Sequence, residues 1–216
     1  MSEHLQPSDY HFSKARRRLD IAVALTLMPI AFPAEKILSA YVRRVFNDDD
    51  VYFELEVESG NGLVSVKKIR TMYNDGPSDE EIGFNKDNPR IPNRTIKLIR
   101  DLRADELPQI LQVLTGELSM VGPRKLPGQM LKYVEKTTDQ DLYDEWRELT
   151  DQLPPGLTGP AQLSWLETDI RDKAVLERAM RLDNNYAVNG SLKEDLLILG
   201  KTAFNLGRIG LRLSHT

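Results

Sequence analysis

The chain has 216 residues, of which 40% are hydrophobic and 29% charged, and this balance excludes a polytopic membrane protein, a collagen-like fibre and a mostly disordered chain. Its net charge of -4 provides no overall basic excess, so no nucleic-acid partner is expected. The sequence has no cysteine, which excludes disulfides and thiolate chemistry, and its three histidines, His4, His11 and His215, lie near the termini. Carboxylates, amines and hydroxyls are therefore the groups available for chemistry.

The N-terminal region combines a basic cluster with an apolar segment. Lys14 and the arginines 16–18 precede an uncharged stretch over 21–34, which contains Pro29 and Pro33. A stretch of about 14 residues is too short to span a hydrocarbon core of roughly 30 Å. Prolines inside a helix remove backbone donors, so we expect the helix to break at Pro33 and the segment to return to the side from which it entered. A soluble helical hairpin is the alternative that composition leaves open.

The residues after this break predict an amphipathic helix at the membrane interface. Lys36, Arg43 and Arg44 would lie near anionic headgroups, and the apolar positions follow helical spacing. These apolar positions are Ile37, Leu38, Tyr41, Val42 and Val45. We therefore divide the chain into a membrane-associated helical segment, 1–46, and a second domain, 47–216, with both basic flanks on the cytoplasmic side.

The rest of the chain predicts an α+β fold that is mostly helical. Between Val51 and Met72, apolar and polar residues alternate on both sides of the turn sequence SGNG, which predicts a small β-hairpin. The segment from Tyr73 to Asn93 is rich in Asn, Asp, Gly and Pro without periodicity, so we expect a surface loop. Helices are expected over residues 96–100, 105–118, 129–149, 167–182 and 191–206.

Two adjacent carboxylates, Asp105 and Glu106, begin the most strongly periodic of these helices, with Pro108 in its first turn. We expect Asp105 to be the N-cap, beside free backbone amides that suit a phosphate group. Such starts are common, so DELPQ alone fits an ordinary helix cap equally well. A carboxylate pair that works on a diphosphate needs cations that bind phosphate oxygens. The basic residues nearest in sequence are Lys67, Lys68, Arg70, Arg90, Arg94, Arg100, Arg103 and Arg124.

Several short motifs occur in one order along the chain. They are RRRLD at 16–20, the apolar stretch ending at Pro33, KIRTM at 68–72, DELPQ at 105–109, LTGELSMVGPR at 114–124, PGLTGPAQ at 155–162 and LDNNYAVNGSLKEDLLIL at 182–199. On these motifs the chain resembles the bacterial sugar transferase family, the monotopic phosphoglycosyl transferases. Any one motif is weak, but all of them in this order over residues 16–207 form a strong signal.

The resemblance implies a transfer reaction at the inner face of the bacterial cytoplasmic membrane. Enzymes of the family move a sugar 1-phosphate from a nucleotide diphosphate sugar, usually a UDP-sugar, to polyprenyl phosphate, and so start the assembly of glycans such as exopolysaccharides. They require Mg2+. Carried onto this chain, the resemblance implies that Asp105 is the nucleophile of a covalent phosphosugar intermediate. It also implies that Glu106 is a magnesium ligand.

Further assignments follow from the same resemblance. Arg100, Arg124, Lys68 and Arg70 are implied to bind the substrate phosphates. Pro33 matches the proline that breaks the re-entrant membrane helix of the family. Residues 47–216 would form the catalytic domain on the cytoplasmic side. Besides the nucleotide-sugar, the polyprenyl phosphate and the membrane lipid, downstream glycosyltransferases are candidate partners.

Departures from the family pattern keep other functions open. Leu55 and Val57 stand near positions where the family has Gln and Arg, so polar substrate contacts would be missing there. This favours, as the main alternative, a catalytically silent membrane-surface protein that binds a nucleotide-sugar or a partner. Glu35 and Lys36 follow the second proline almost at once, which predicts shallower insertion and leaves open a soluble phosphotransferase with a non-lipid acceptor. Lys125 replaces the last proline of the family's GPRP.

Overall fold

The computed structural model describes residues 5–59, 62–73, 88–165 and 172–213. Its helices are α1 (Lys14–Phe46), α2 (Arg94–Asp101), α3 (Gln109–Thr115), α4 (Gly128–Thr137), α5 (Gln140–Asp151), α6 (Pro160–Trp165), α7 (Lys173–Asn189) and α8 (Leu192–Leu213), with 3-10 turns at Asp9–Phe12 and Ala104–Glu106. Its strands are β1 (Tyr52–Ser59), β2 (Gly62–Ile69), β3 (Ser119–Val121) and β4 (Gly156–Thr158). Helices predominate over two small sheets, which confirms the predicted α+β class.

The two sheets are separate and differ in strand direction. β1 and β2 form the predicted antiparallel hairpin, in a register that places Phe53 opposite Lys68. β3 and β4 pair in parallel, with Ser119 opposite Gly156. The hairpin brings Lys68 towards the turn before α3. β3 follows α3 in the chain and leads into the segment that contains Arg124.

Two of the predicted helices are interrupted or shortened. The helix predicted over 129–149 is two helices, because Asp139 accepts a hydrogen bond from the Leu142 N–H (3.1 Å) and begins α5 as its N-cap. The helix predicted over 105–118 is reduced to α3, which ends where Gly116 adopts a left-handed conformation with φ of 93°. The periodicity of apolar residues predicts neither the N-cap at Asp139 nor the helix end at Gly116.

Two predicted segments are only partly described. Of the loop predicted over 73–93, residues 74–87 lie outside the described residues, and α2 follows its end. Of the helix predicted over 167–182, residues 167–171 lie outside them. The described part of that helix is α7, which continues to Asn189.

α1 runs as one helix of 33 residues that contains both Pro29 and Pro33, so neither proline ends the helix, and a bend at Pro33 that returns the segment to its side of entry stays a prediction. Each proline removes one N–H donor, and the helix continues because buried residues along its whole length pack it onto the body of the protein. Ser13 caps its start by accepting from the Arg16 N–H (3.2 Å), and Asn47 ends it in a left-handed conformation. A role for Pro33 in the membrane stays a prediction.

The two faces of α1 have the reverse of the polarity expected for a helix in water. Its buried face contains four polar residues, Arg16, Asp20, Glu35 and Ser39, beside smaller apolar ones. Its exposed face contains large apolar residues, namely Leu25, Leu27, Ile30, Phe32 and Ile37. Within the described ranges, α1 is also the one helix that is long and apolar enough to cross a membrane. This outer face predicts contact with lipid and agrees with the expected membrane association.

The C-terminal part of α1 packs on protein along one face while Ile37 is 70% exposed, so an arm lying at the interface stays a prediction. Val42 is fully buried, and Leu38 and Tyr41 pack beside it. Glu35 accepts a hydrogen bond from the Tyr52 hydroxyl (2.6 Å), so this carboxylate does not face lipid. The depth of insertion stays a prediction. The other buried members of this cluster are Val51, Ile69, Ile96 and Ile99.

The largest core cluster joins α1, the hairpin, α3 and β3. Val57 is 2% exposed in this cluster, and Leu55 packs against it. The two positions where the family has polar residues therefore belong to the core in this chain. Because α1 shares this core, it packs directly on the rest of the protein, and a domain boundary after residue 46 stays a prediction. The other buried members of the cluster are Ala24, Ala31, Val66, Ile110, Val113, Leu118, Met120 and Val121, with Tyr186 from α7 and Ile198 from α8.

Candidate active site

The carboxylate pair lies in a tight turn before α3, and both side chains are buried. Arg103 adopts a left-handed conformation with φ of 54° and starts the 3-10 turn Ala104–Glu106. The N–H groups of Glu106 and Leu107 donate to the carbonyls three residues back, at Arg103 (3.1 Å) and Ala104 (3.4 Å), so this segment is a 3-10 turn and the α-helix begins only at Gln109. Asp105 is therefore not the N-cap of α3, which corrects the sequence prediction.

Glu106 is surrounded by cations from three parts of the chain. Its Oε1 atom accepts a hydrogen bond from Lys68 Nζ at 2.8 Å and lies 3.3 Å from Arg124 Nη2. Its Oε2 atom lies 3.4 Å from Arg103 Nη1. Lys68 comes from β2, Arg124 follows β3, and Arg103 belongs to the turn itself. The structure thus brings together four of the predicted site residues, namely Asp105, Glu106, Lys68 and Arg124.

Burial and charge act differently on the two carboxyl groups. Burial raises the pKa of Glu106, but the charges of the three cations outweigh it and hold this pKa well below its usual range. Burial and then the negative charge of Glu106 raise the pKa of Asp105 to about 6, against the opposing effect of Lys68. Glu106 is thus the charged partner of the cations, and Asp105 is the carboxylate whose charge is less compensated.

The other two predicted phosphate-binding residues have different surroundings. Arg100, near the end of α2, donates from Nη1 to the Thr71 hydroxyl (2.7 Å), and its charge opposes the upward shift in the pKa of Asp105. Arg70 instead binds Asp48 (2.6 Å) and lies 4.9 Å from the centre of the Phe46 ring. The charge of Arg100 therefore favours the ionised form of Asp105, whereas the contacts of Arg70 do not support its predicted role.

A close crossing of two backbones positions Arg124. Gly122 follows β3, and its N–H donates to the Thr158 carbonyl of β4 (2.8 Å). A Cβ atom at Gly156 or at Gly159 would overlap the backbone of Gly122, so neither position accepts a side chain. The crossing fixes the path of the chain two residues before Arg124.

Lys125, the residue that departs from the family pattern, binds the end of α5. Its Nζ atom donates to the Thr150 carbonyl (2.7 Å) and to the Asp151 carboxylate (2.8 Å), and the side chain is almost fully buried. The substitution therefore has a structural explanation that does not involve the carboxylate pair.

Arg103 is a site residue that the sequence analysis did not assign. It precedes Glu106 by three residues, and this spacing is the signal that the sequence contains. The left-handed backbone at Arg103 directs the chain into the 3-10 turn. Glycine and asparagine are the residues that usually adopt this conformation, so an arginine at this position does not predict it.

Mg2+ is the metal that the resemblance implies, and the donor set fits it only together with a substrate. In the part of the chain that the structure describes, no three His, Asp or Glu side chains form a group that could hold a metal ion. Mg2+ commonly uses one or two carboxylates and takes its other ligands from substrate phosphates and water. The carboxylate pair supplies two such groups, but three cations already surround Glu106. A Mg2+ ion at this site would therefore take most of its ligands from the diphosphate and water, and Glu106 as its protein ligand stays a prediction.

Comparison with known proteins places the chain in a family. The family model described as Bacterial sugar transferase matches residues 11–208. The chain is 36% identical over 132 residues to the uncharacterized sugar transferase EpsL of Bacillus subtilis (strain 168), a match that covers 61% of this chain and 57% of that protein. It is 30% identical over 204 residues to the exopolysaccharide production protein ExoY of Rhizobium meliloti (strain 1021), covering 87% of this chain and 83% of the relative.

A third relative is named for a defined reaction. The chain is 28% identical over 198 residues to the UDP-glucose:undecaprenyl-phosphate glucose-1-phosphate transferase of Caulobacter vibrioides, covering 88% of this chain and 69% of that protein. The family match spans nearly all of the chain and confirms the resemblance drawn from the motifs. The protein belongs to the bacterial sugar transferase family.

Proposed function

We propose that this protein is a phosphoglycosyl transferase that moves a sugar 1-phosphate from a UDP-sugar to polyprenyl phosphate and so starts glycan assembly at the cytoplasmic membrane. The observation that carries the proposal is the buried carboxylate pair, in which three cations bind Glu106 and leave the charge of Asp105 less compensated. Relatives named for undecaprenyl-phosphate sugar-phosphate transfer and for exopolysaccharide production support the same substrates and pathway class. The apolar outer face of α1 supports a lipid acceptor.

In the first step, a carboxylate oxygen of Asp105 attacks the phosphorus that bears the sugar. A new oxygen–phosphorus bond forms, and the bond from that phosphorus to the bridging oxygen of the diphosphate breaks. Uridine monophosphate leaves with the electron pair, and the sugar phosphate stays on Asp105. A carboxylate approaches a diphosphate only where cations offset the repulsion between them, and Lys68, Arg103 and Arg124 provide that charge at this site.

In the second step, an oxygen of polyprenyl phosphate attacks the same phosphorus. The bond to Asp105 breaks, the carboxylate is regenerated, and the product is a lipid-linked diphosphate sugar. The buried turn keeps Asp105 beside Glu106 and its cations in both steps, so the same charges act on the incoming and the outgoing phosphate. When bound, Mg2+ would offset further negative charge on the diphosphate.

A catalytically silent protein that binds a nucleotide-sugar or a partner is the alternative. It rests on the apolar residues at positions 55 and 57. In the structure Val57 is buried and Leu55 packs on the core, so both residues have a packing role. The cations around Glu106 are nevertheless in place, which favours the enzyme. A soluble phosphotransferase with a non-lipid acceptor is disfavoured by the large apolar residues on the exposed face of α1.

Nucleoside monophosphate release tests the proposal. Detergent-solubilised protein is incubated with undecaprenyl phosphate, Mg2+ and a panel of UDP-sugars that includes UDP-glucose. We expect uridine monophosphate release that requires the lipid and falls at least about a thousandfold in Asp105→Asn. A folded protein that binds a UDP-sugar but releases no monophosphate would refute the transferase and support the silent binder. Release without the lipid acceptor would support the soluble phosphotransferase.

A further inference from the structure

The first turn of α1 contacts the helix that follows the carboxylate pair. Arg17 donates from Nη1 to the Val113 carbonyl and from Nη2 to the Leu114 carbonyl, each at 2.5 Å. These carbonyls lie in the last turn of α3, which ends at Gly116. The Val113 carbonyl also accepts from the Gly116 N–H (3.2 Å), and a planar cation with paired donors on Val113 and Leu114 fixes the position of this helix end.

The same turn of α1 also holds β3. Arg16 donates from Nη2 to the Val121 carbonyl (2.6 Å). Asp20, one turn further along α1, accepts from the Met120 N–H (2.9 Å) and from the Ser119 hydroxyl (2.9 Å). Arg16 is 2% exposed, and Asp20 is also buried. All three residues of β3 are thus bound to α1, and β3 leads into the segment that supplies one cation of the site.

These contacts join the two parts of the chain that meet at Glu106. The carboxylate pair precedes α3, and Arg124 follows β3. The two parts approach each other at the 3.3 Å contact between Arg124 Nη2 and Glu106 Oε1. Away from this contact, Arg17 holds α3 and Arg16 holds β3, and both residues belong to α1.

We infer that Arg17 is a positioning residue of the transfer reaction, which sets the place of the Asp105–Glu106 turn relative to Arg124 by holding the end of α3 on α1. The inference rests on the proposed function. A displacement of about 1 Å in a reacting group lowers a rate by about 10²-fold, even when the change is far from the chemistry. Loss of the two Arg17 hydrogen bonds lets α3 move relative to β3 and so lowers kcat. Arg17 contacts backbone carbonyls rather than substrate groups, so KM is expected to change little.

The test compares Arg17→Gln with Arg18→Gln. Arg18 is the next residue, is exposed and belongs to the same helix, so its variant removes the same charge from the same end of α1. In the monophosphate-release assay, we expect kcat of Arg17→Gln to fall at least about fivefold while KM for the UDP-sugar stays within about twofold. Loss of two charged hydrogen bonds is expected to lower Tm, so kcat is compared per folded molecule at a temperature where both proteins are folded, and the membrane-bound fraction should match that of the wild type. Arg18→Gln should keep wild-type kcat, and Arg17→Lys should recover part of the loss.

Several results would overturn the inference. It is wrong if Arg17→Gln loses less than about fivefold in kcat per folded molecule, or if the loss is mainly in KM. If Arg17→Gln does not fold, Arg17→Lys decides by the same criteria. A wild-type protein without turnover would refute the proposed function instead, so the two failures are distinguishable.

Discussion

Asp105 and Glu106 are neighbours in the chain and equally buried, yet they have different partners. Among the described residues, the ion pairs of this turn are all made by Glu106. The sequence motifs predicted the pair itself and two of its cations, Lys68 and Arg124. They could not predict the contribution of Arg103, because that depends on a left-handed backbone conformation.

The contact between Lys68 and Glu106 can be tested by one substitution. It makes the shortest ion pair of Glu106, and its charge lowers the pKa of both carboxyl groups. Lys68→Gln should therefore lower kcat/KM by about 10- to 100-fold, the value of a charged hydrogen bond to a buried group. Steady-state monophosphate release measures the effect.

Arg70→Gln is the matched control for Lys68→Gln. Arg70 leaves the same strand two residues later, but it binds Asp48. Its variant should keep kcat/KM within about threefold of wild type, as expected for an exposed ion pair. An equal loss in both variants would contradict this assignment and restore the phosphate-binding role predicted for Arg70.

At the scale of elements, α1 shows which features of a helix are visible in its sequence. The basic flank and the apolar stretch correctly predict a helix with an apolar outer face. The prolines do not end the helix, and the bend that they predict is not tested by its continuity. The sequence of α1 also does not predict that Glu35 points towards the protein, because its hydrogen-bond partner is Tyr52 in the hairpin.

The outer face of α1 can be tested by one substitution. Ile30 is 75% exposed, so Ile30→Lys should leave folding unchanged and place a charge where lipid is expected. Such a change costs about 3 kcal/mol at the centre of a membrane helix, which lowers membrane binding by up to about 100-fold. Flotation with vesicles measures the bound fraction.

Leu63→Lys is the control for Ile30→Lys. Leu63 is 67% exposed on β2, so its variant adds the same charge at a similarly exposed apolar position. Membrane binding should be unchanged in this variant. If Ile30→Lys binds vesicles as strongly as Leu63→Lys does, the outer face of α1 does not contact lipid.

Asp183 predicts a pH dependence of stability where α5, α6 and α7 meet. The Trp146 indole and the Ala161 N–H donate to its carboxyl group, each at 3.4 Å, but burial raises its pKa to about 7. In the unfolded chain this group titrates near its ordinary pKa of about 4. The folded state therefore holds a proton that the unfolded state releases, so this contribution to stability is lost as pH rises from about 4 through about 7.

The variant Asp183→Asn cannot ionise and removes this dependence. The Tm of the variant should therefore rise relative to that of the wild type as the pH increases from about 5 to about 8. Thermal unfolding of both proteins in the same detergent measures it. A difference in Tm that is equal at both pH values would contradict the buried state of Asp183.

At the scale of the whole molecule, the order of the motifs along the chain is enough to indicate the family, and the match over residues 11–208 confirms it. Composition and periodicity also predict the fold class and the hairpin. They do not predict the relation of α1 to the site, because Arg16, Arg17 and Asp20 bind elements about a hundred residues away in the chain. Long-range contacts of this kind have no periodic signature in a single sequence.

In the proposed mechanism Asp105 carries the sugar phosphate between donor and acceptor, and the intact mass of the protein tests this step. The wild-type protein and Asp105→Asn are each incubated with a UDP-sugar and Mg2+ without polyprenyl phosphate, then quenched and weighed by mass spectrometry. We expect the wild type to gain the mass of one sugar phosphate, to lose it when undecaprenyl phosphate is added, and Asp105→Asn to gain nothing. Wild-type turnover without any such adduct, or the same adduct on Asp105→Asn, would contradict the account.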